Sequence, residues 1–307
     1  MDFLTVLPRF VRSSQNRLRH PIEVKTNQPL AAFSSMRTAG IAEAVAFPSD
    51  TKDLSFLVSF LVDNDIDFVI LGRGTNTLFA SERYKGLIVS TERINFIRVE
   101  GDKMILGAGV SLGRLCRVAA EAGLSGVEAL YGIPGTVGGA VAMNAGAFGT
   151  SFEDLMPRSK ILLPTGEEKT VFSEEHGFAY RSSRFLEQEP CVLLETEISL
   201  TPSCRLDVYR AMDGYMAKRR EKQPLEYPSL GSVFKRCGDA YPAKLIEDAG
   251  LKGFSHGGAS VSEKHAGFIV NKGGASGEDV LSLVEYIEAV IYQKNGIRLV
   301  PEIRIVR

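Results

Sequence analysis

The stretch Gly132 to Gly149, GIPGTVGGAVAMNAGAFG, sets six glycines among apolar and small residues where a packed element would carry larger side chains. Glycine loses more chain entropy on folding than any other residue. A cluster is therefore tolerated where the backbone needs positive φ or where a ligand must touch main-chain atoms. Asn144 adds one polar group, and the combination suits a flat, partly polar cofactor; a tight turn plus a bulge would also account for it. A second loop, GRGTNT at Gly72 to Thr77, follows the apolar run DFVIL. It can turn successive N–H groups and hydroxyls toward a phosphate, with an ordinary strand-end turn as the alternative. A third, GAGVSLG at Gly107 to Gly113, has the spacing GxGxxxG rather than GxGxxG and lacks an acidic ribose ligand at a following strand end. Both features argue against a dinucleotide Rossmann site. The sequence holds no GxxxxGK[ST], which excludes a P-loop.

These loops need elements to hold them, and helices alternate with strands along the chain. Asp50 is placed to cap a helix carrying Leu54, Leu57, Val58 and Leu61 on one face, and Asp67 to Leu71 reads as a buried strand entering the first glycine loop. Met104 begins a strand that leads into GAGVSLG, and a helix bearing Leu112, Leu115, Cys116 and Ala119 stops near Gly123. Cys191 to Leu200 reads as a strand, and a charged helix runs through YMAKRREKQP. Pro242 begins a helix with Leu245 and Ile246, and a longer one runs from Ser276 to about Asn295 with Gly296 as its cap. The closing RLVPEIRIVR reads as a terminal strand with Glu302 between apolar neighbours.

With 307 residues, 44% hydrophobic and 24% charged, the chain is a globular protein of about two domains. A net charge of −1 gives no global attraction to nucleic acid or to an anionic membrane, so any anionic ligand must be met by local basic residues. Cys116, Cys191, Cys204 and Cys237 show no metal-binding spacing and read as free thiols. The N-terminal segment is broken by Pro8, Arg9 and Arg12, unlike a signal peptide, and no run is long enough to span a membrane. A cytoplasmic location follows as the expectation.

GIPGTVGGAVAMNAGAFG, LGRGTN, YRSSRF at Tyr180 to Phe185, PSLGSVFKR at Pro228 to Arg236, LIEDAGLKG, VSEKHAGFIVN and PEIRIV together resemble the UDP-N-acetylenolpyruvoylglucosamine reductase (MurB) family. The likeness is collinear from about Asn27 to the end and fits the shorter subclass, without an extra loop. It implies an α+β protein: an FAD-binding region of the vanillyl-alcohol-oxidase/PCMH type over 1–202, with an N-terminal extension 1–26, and a C-terminal α+β substrate-binding domain over 203–307. It implies non-covalent FAD, NADPH as co-substrate, and reduction of UDP-N-acetylglucosamine enolpyruvate to UDP-N-acetylmuramic acid in peptidoglycan synthesis, with no nucleic acid, membrane or obligate protein partner.

By motif match, the resemblance makes Ser232 the proton donor, Arg181 the group that stabilises the enolate and Glu302 an aid to protonation. For FAD it points to Gly72, Gly74, Thr75 and Asn76 near the pyrophosphate. Around the rest of the cofactor it points to Gly132, Ile133, Pro134, Gly135, Gly138, Gly139, Asn144 and Gly146. For the substrate diphosphate it leaves Lys222, Arg304, Lys264 and Asn271. Taken singly, Ser232 reads as a turn hydroxyl and the charged residues as solvated. His20, His176, His256 and His265 all lie outside the flavin-loop positions, consistent with non-covalent attachment. The chain departs from the family pattern in SSMRTAGIA, with one glycine where a pair is usual, and at Arg73, where a third glycine is common. A related FAD-dependent oxidase of a small alcohol or hydroxy acid is the alternative enzyme, and a flavin- or nucleotide-binding module without catalysis is the alternative class.

Overall fold

The computed structural model describes residues 3–15, 17–18, 20–187, 191–238 and 240–307. The chain forms two compact units, one of Met1–Thr26, Ala44–Gly72 and Lys85–Ala217, the other of Asn27–Glu43, Arg73–Tyr84 and Lys218–Arg307.

In the first unit, helix Thr51–Asp63 starts where the sequence predicts: the Asp50 carboxylate accepts from the Asp53 N–H at 2.8 Å. That bond satisfies one of the N–H groups every helix start leaves open. Leu54, Leu57, Val58 and Leu61 are buried with Phe3, Val6 and Phe10 of helix Phe3–Gln15. A four-stranded sheet runs in the order Glu23–Pro29, Ile41–Phe47, Arg83–Ser90, Phe68–Leu71, the last two parallel. A five-stranded sheet, ordered Glu168–Val171, Arg158–Leu162, Val192–Ser199, Lys103–Gly107, Ile97–Glu100, is antiparallel at every pair. Antiparallel neighbours flank Lys103–Gly107 on both sides, so GAGVSLG opens no parallel crossover of the Rossmann kind. Helix Leu112–Glu121 instead turns Leu112, Leu115, Cys116 and Ala119 into a core shared with Met104, Leu106, Val137 and Val141.

A buried histidine closes the outer part of that sheet. His176 is fully buried, with Nδ1 2.7 Å from the Phe172 carbonyl and Nε2 2.8 Å from the Ser159 hydroxyl. A carbonyl only accepts, so Nδ1 carries the proton and Nε2 accepts from Ser159. Burial holds the imidazole below its ordinary value of 6.5. A base whose folded pKa is depressed stays neutral in the fold but charges in the unfolded chain, so its contribution to stability is full above pH 6.5 and declines below it. Denaturant midpoints measured at pH 7.5 and pH 5.5 are expected to fall with acid in the wild type and to fall less in His176→Gln. An equal fall in both proteins would remove His176 from this role.

In the second unit, an antiparallel sheet runs in the order Ser229–Ser232, Phe268–Asn271, Ala259–Val261, Ser255–His256. Helix Gly277–Asn295 packs on it through Val280, Leu283, Val284, Ile287 and Ile291. Ser276 caps this helix: its hydroxyl accepts from the Asp279 N–H at 3.0 Å, and the Asp279 carboxylate accepts from the Ser276 N–H at 2.9 Å. The Ser276 hydrogen bonds hold the Asp279 carboxyl below the usual carboxylate range. Gly296 ends the helix at φ 66. Met36, Leu78 and Ala80, from early in the chain, belong to the same core as Val280 and Ile287.

The closing segment differs from its sequence reading. Only Arg304–Val306 forms a strand, parallel to Thr77–Phe79, and Glu302 lies just before it. Pro301 instead bridges antiparallel to Phe234, with the bonds made by Val300 and Glu302 on either side, and the chain bends at Ile303 before the parallel strand begins. Among the described residues, no helix is long and apolar enough to cross a membrane.

Candidate functional site

Within the second unit, three motifs that lie far apart in sequence meet at Glu302. The Glu302 N–H donates to the Val233 carbonyl at 2.7 Å, and the Glu302 carbonyl accepts from the Asn76 side-chain amide at 3.0 Å. Asn76 also accepts, through its own carbonyl, from the Arg304 N–H at 2.8 Å. The carboxylate-bearing residue is thus fixed next to the residue that follows Ser232. Ser232 itself ends strand Ser229–Ser232 opposite Phe268, after Gly231 at φ 78. Its side chain is exposed, and among the described residues its hydroxyl makes one long bond, 3.5 Å to the Phe234 carbonyl. A hydroxyl held so loosely is available to a ligand.

The GRGTN loop is built onto this arrangement. Gly74 has φ 56, and a Cβ there would stand 1.9 Å from the Phe33 carbonyl oxygen; the Ser35 N–H donates to the Gly74 carbonyl at 3.0 Å. Thr75, the next residue, is half-buried. The SSMRTAG segment is pinned beside it by Asn271, whose amide donates to the Met36 and Arg37 carbonyls at 2.9 and 3.2 Å and accepts from the Gly273 and Ala275 N–H groups. Asn271 therefore spends its side chain on shaping this loop, which leaves it no donor for a diphosphate. Lys264 is tied by its ammonium to the Arg220 carbonyl at 2.7 Å, in the last turn of helix Arg205–Lys222. Lys222 and Arg304 are exposed.

In the first unit, the two glycine-rich segments touch: a Cβ at Gly72 would lie 2.2 Å from the Thr136 hydroxyl. Residues 135–138 pair with GAGVSLG through Leu112 N–H to Gly135, Val137 N–H to Val110 and Gly138 N–H to Ala108, at 2.8 to 3.1 Å. A Cβ on Gly138 would meet the Ala108 carbonyl at 3.0 Å, and one on Gly146 the Thr150 carbonyl at 2.6 Å. Gly132 has φ 90, Ile133 is half-buried with its N–H bonded to the Leu130 carbonyl at 3.1 Å, and Pro134 is exposed. Asn144, buried at φ 42, donates to the Glu153 carboxylate at 2.7 Å and to the Ala179 carbonyl at 3.2 Å.

That last bond brings YRSSRF onto the glycine-rich stretch. Arg181 donates to the Gly146 carbonyl at 3.0 Å, and the Ser183 hydroxyl to the Ala142 carbonyl at 2.7 Å. Arg181 has φ 54, a conformation uncommon for a side chain of this size and found where surrounding structure imposes it. Asn144 thus ties the glycine-rich stretch to the loop that carries Arg181.

Gly139 stands apart from the other glycines. It is exposed, sits inside helix Val137–Ala142, and a Cβ on it would meet only the Thr136 hydroxyl, at an ordinary 3.6 Å. The fold does not need glycine there, whereas a ligand approaching the backbone would. Elsewhere, two buried hydroxyls, Thr38 Oγ1 and Ser90 Oγ, have no hydrogen-bond partner among the described residues. Neither carries a sequence signal that marks it. The open backbone at Gly139 fits the close approach of a phosphate-bearing cofactor such as FAD. Gly139→Ala is expected to leave the thermal midpoint of the FAD-free chain unchanged or higher, since alanine is favoured over glycine in a helix by about 0.5–1 kcal/mol. It should weaken FAD binding by roughly 10-fold or more through crowding. Unchanged FAD affinity, read by flavin fluorescence titration, would show that Gly139 faces no ligand.

Comparison with known proteins agrees. The profile for an FAD binding domain matches residues 42–171, and that for the UDP-N-acetylenolpyruvoylglucosamine reductase C-terminal domain matches residues 223–306. A UDP-N-acetylenolpyruvoylglucosamine reductase of Caldanaerobacter subterraneus is 42% identical over 91% of this chain and 92% of its own length. One from Caldicellulosiruptor bescii is 40% identical over 93% and 91%. The crystal structure of UDP-N-acetylenolpyruvylglucosamine reductase (MurB) from Thermus caldophilus superposes with a TM-score of 0.79 at 28% identity, over 93% of this chain and 99% of that one. A Phl p 4 variant with glucose oxidase activity shares the fold alone, at a TM-score of 0.50 and 13% identity over 66% of this chain and 44% of its own. The near relatives are reductases, which sets aside the oxidase alternative, and the chain belongs to the UDP-N-acetylenolpyruvoylglucosamine reductase family.

Proposed function

We propose that this protein is an FAD-dependent oxidoreductase that reduces UDP-N-acetylglucosamine enolpyruvate to UDP-N-acetylmuramic acid with NADPH, a step of peptidoglycan precursor synthesis. The observation that carries the reading is the meeting of the GRGTN, GSVF and PEIR segments at Glu302, which puts a carboxylate-bearing residue beside an exposed serine. Bound FAD supplies the hydride, drawn from NADPH, that adds to the terminal alkene carbon of the substrate.

Gly72, Gly74 and Thr75 would line the pyrophosphate, and residues 132–135 with Gly138, Gly139 and Gly146 would line the rest of the cofactor. Asn76 and Asn144 hold the loops that carry Glu302 and Arg181. By its place in the YRSSRF motif, Arg181 would supply the cation for the charge that collects on the substrate carboxylate. Ser232 Oγ holds the proton delivered to the carbon next to that carboxylate, and Glu302 assists that delivery. Lys222 and Arg304 supply the cations for the substrate diphosphate. Lys264 steadies the end of the helix that bears Lys222, and Asn271 shapes the SSMRTAG loop. The widely spaced free cysteines support a cytoplasmic location, and no protein partner is needed for the chemistry.

Anaerobic visible spectra test the reading directly. A flavin band bleached by one equivalent of NADPH and restored by UDP-N-acetylglucosamine enolpyruvate is expected. A bleached band that only oxygen restores would overturn the substrate assignment.

A further inference from the structure

Strand Arg83–Ser90 is buried on both faces. Leu87 and Val89 point into the core that includes helix Thr51–Asp63. Side chains alternate along a strand, so Ile88 and Ser90 occupy the opposite face. The parallel register sets Val69 beside Ile88 and Leu71 beside Ser90. All four are buried, and three are aliphatic. Ser90 is thus the one polar member of this group, set at its edge. It is 1% exposed, and its Oγ has no hydrogen-bond partner among the described residues.

Position gives this orphaned hydroxyl its meaning. Leu71, its direct neighbour in the sheet, is the last residue before Gly72, and Gly72 is the residue whose missing Cβ lets the chain pack against Thr136. The Thr91 N–H and hydroxyl both bond the Leu71 carbonyl, at 2.9 and 3.3 Å, so the strand ends are clamped level with one another. The hydroxyl therefore sits at the carboxyl ends of two parallel strands, level with the start of a glycine loop. That loop is the one the flavoenzyme reading gives to the pyrophosphate. A buried hydroxyl without a partner is unfavourable, and an alanine would fill the same apolar place without that cost.

We propose that Ser90 is a further FAD-positioning residue, its hydroxyl donating a hydrogen bond to a pyrophosphate oxygen of the cofactor. The inference rests on the flavoenzyme reading above and adds to it a contact that none of the sequence motifs contains. In the cofactor-free chain the hydroxyl is a stored donor; with FAD bound it meets a charged acceptor, the combination in which a single hydrogen bond counts most.

The test uses the full chain stripped of FAD, with Ser90→Ala and Ser90→Cys beside the wild type. Dissociation constants are measured for FAD by flavin fluorescence and for ADP by competition, since ADP carries the pyrophosphate without the flavin. Thermal midpoints are taken on the stripped proteins. Both substitutions are expected to weaken FAD and ADP alike by about 10- to 100-fold, the scale of a hydrogen bond to a charged group, with midpoints unchanged or raised. Weaker FAD binding with unchanged ADP binding would overturn the pyrophosphate assignment. A lowered midpoint in both stripped variants would overturn the proposal, since the hydroxyl would then be bonded, to buried water for example, without FAD. A wild-type chain that takes up no FAD would overturn the flavoenzyme reading and this inference together, whereas a wild type that binds while both variants bind equally well would overturn the inference alone.

Discussion

Ser232→Ala is expected to bleach with NADPH at close to the wild-type rate and to be reoxidised by the UDP-sugar roughly 10²- to 10⁴-fold more slowly, the usual range for a lost general acid. The asymmetry is the content of the prediction. Ser232 holds a proton that only the second half-reaction uses, and its exposed side chain makes one long bond to the Phe234 carbonyl. Removing Oγ therefore leaves the strand pairing with Phe268 and the buried Val233 as they were. Glu302→Gln should show the same separation, because the bonds that fix residue 302 to Val233 and Asn76 are made by its main chain. Stopped-flow absorbance of the two half-reactions, measured separately, decides the matter. Equal slowing of both would mean that Ser232 supports the flavin site in general and donates no proton.

Gly74→Ala is expected to produce the other large effect, on stability as much as on cofactor binding. A side chain at φ 56 costs about 1–2 kcal/mol for an ordinary residue. The new Cβ would also stand 1.9 Å from the Phe33 carbonyl oxygen, a main-chain atom that moves only if the 33–35 segment moves with it. Crowding of this kind adds about 1–3 kcal/mol, and the sum corresponds to a fall in thermal midpoint of roughly 5–10 °C. Differential scanning fluorimetry of the FAD-free chain would show it. A midpoint equal to that of the wild type would mean that the loop relaxes freely and that glycine is retained there for the ligand alone. Gly139→Ala is the natural control for stability, since the same added methyl makes only an ordinary contact with the Thr136 hydroxyl there.

The helices of this protein are legible in its sequence because their ends are written locally. Asp50, Ser276 and Gly296 each act through bonds or backbone angles within four residues, and the apolar stripes of Thr51–Asp63 and Gly277–Asn295 follow the helical period. Strand pairing is set by distant partners, so neither the parallel pairing of Phe68–Leu71 with Arg83–Ser90 nor the order of the five-stranded sheet is readable from the chain. The closing segment reads as one strand because its alternation is continuous, whereas its two halves pair with different partners, Pro301 with Phe234 and Arg304–Val306 with Thr77–Phe79. The candidate site is legible as a set of motifs but not as an arrangement. Nothing in the spacing of Asn76, Val233 and Glu302 says that they share hydrogen bonds, and nothing marks Asn271 as a clamp for Met36 and Arg37 instead of a ligand for substrate. Ser90 was invisible because a serine at a strand end is ordinary until its partners are counted.

The second unit draws its core from three stretches of chain, with Met36 and Leu78 made long before Val280 and Ile287. At about 5–20 residues per second of synthesis, the 202 positions between Leu78 and Val280 take on the order of 10–40 s to emerge. Throughout that time the early apolar residues have no home on the nascent chain. Completion of this unit therefore waits until helix Gly277–Asn295 has left the ribosome, and a chain that stalls before residue 277 carries apolar residues of this core without their partners.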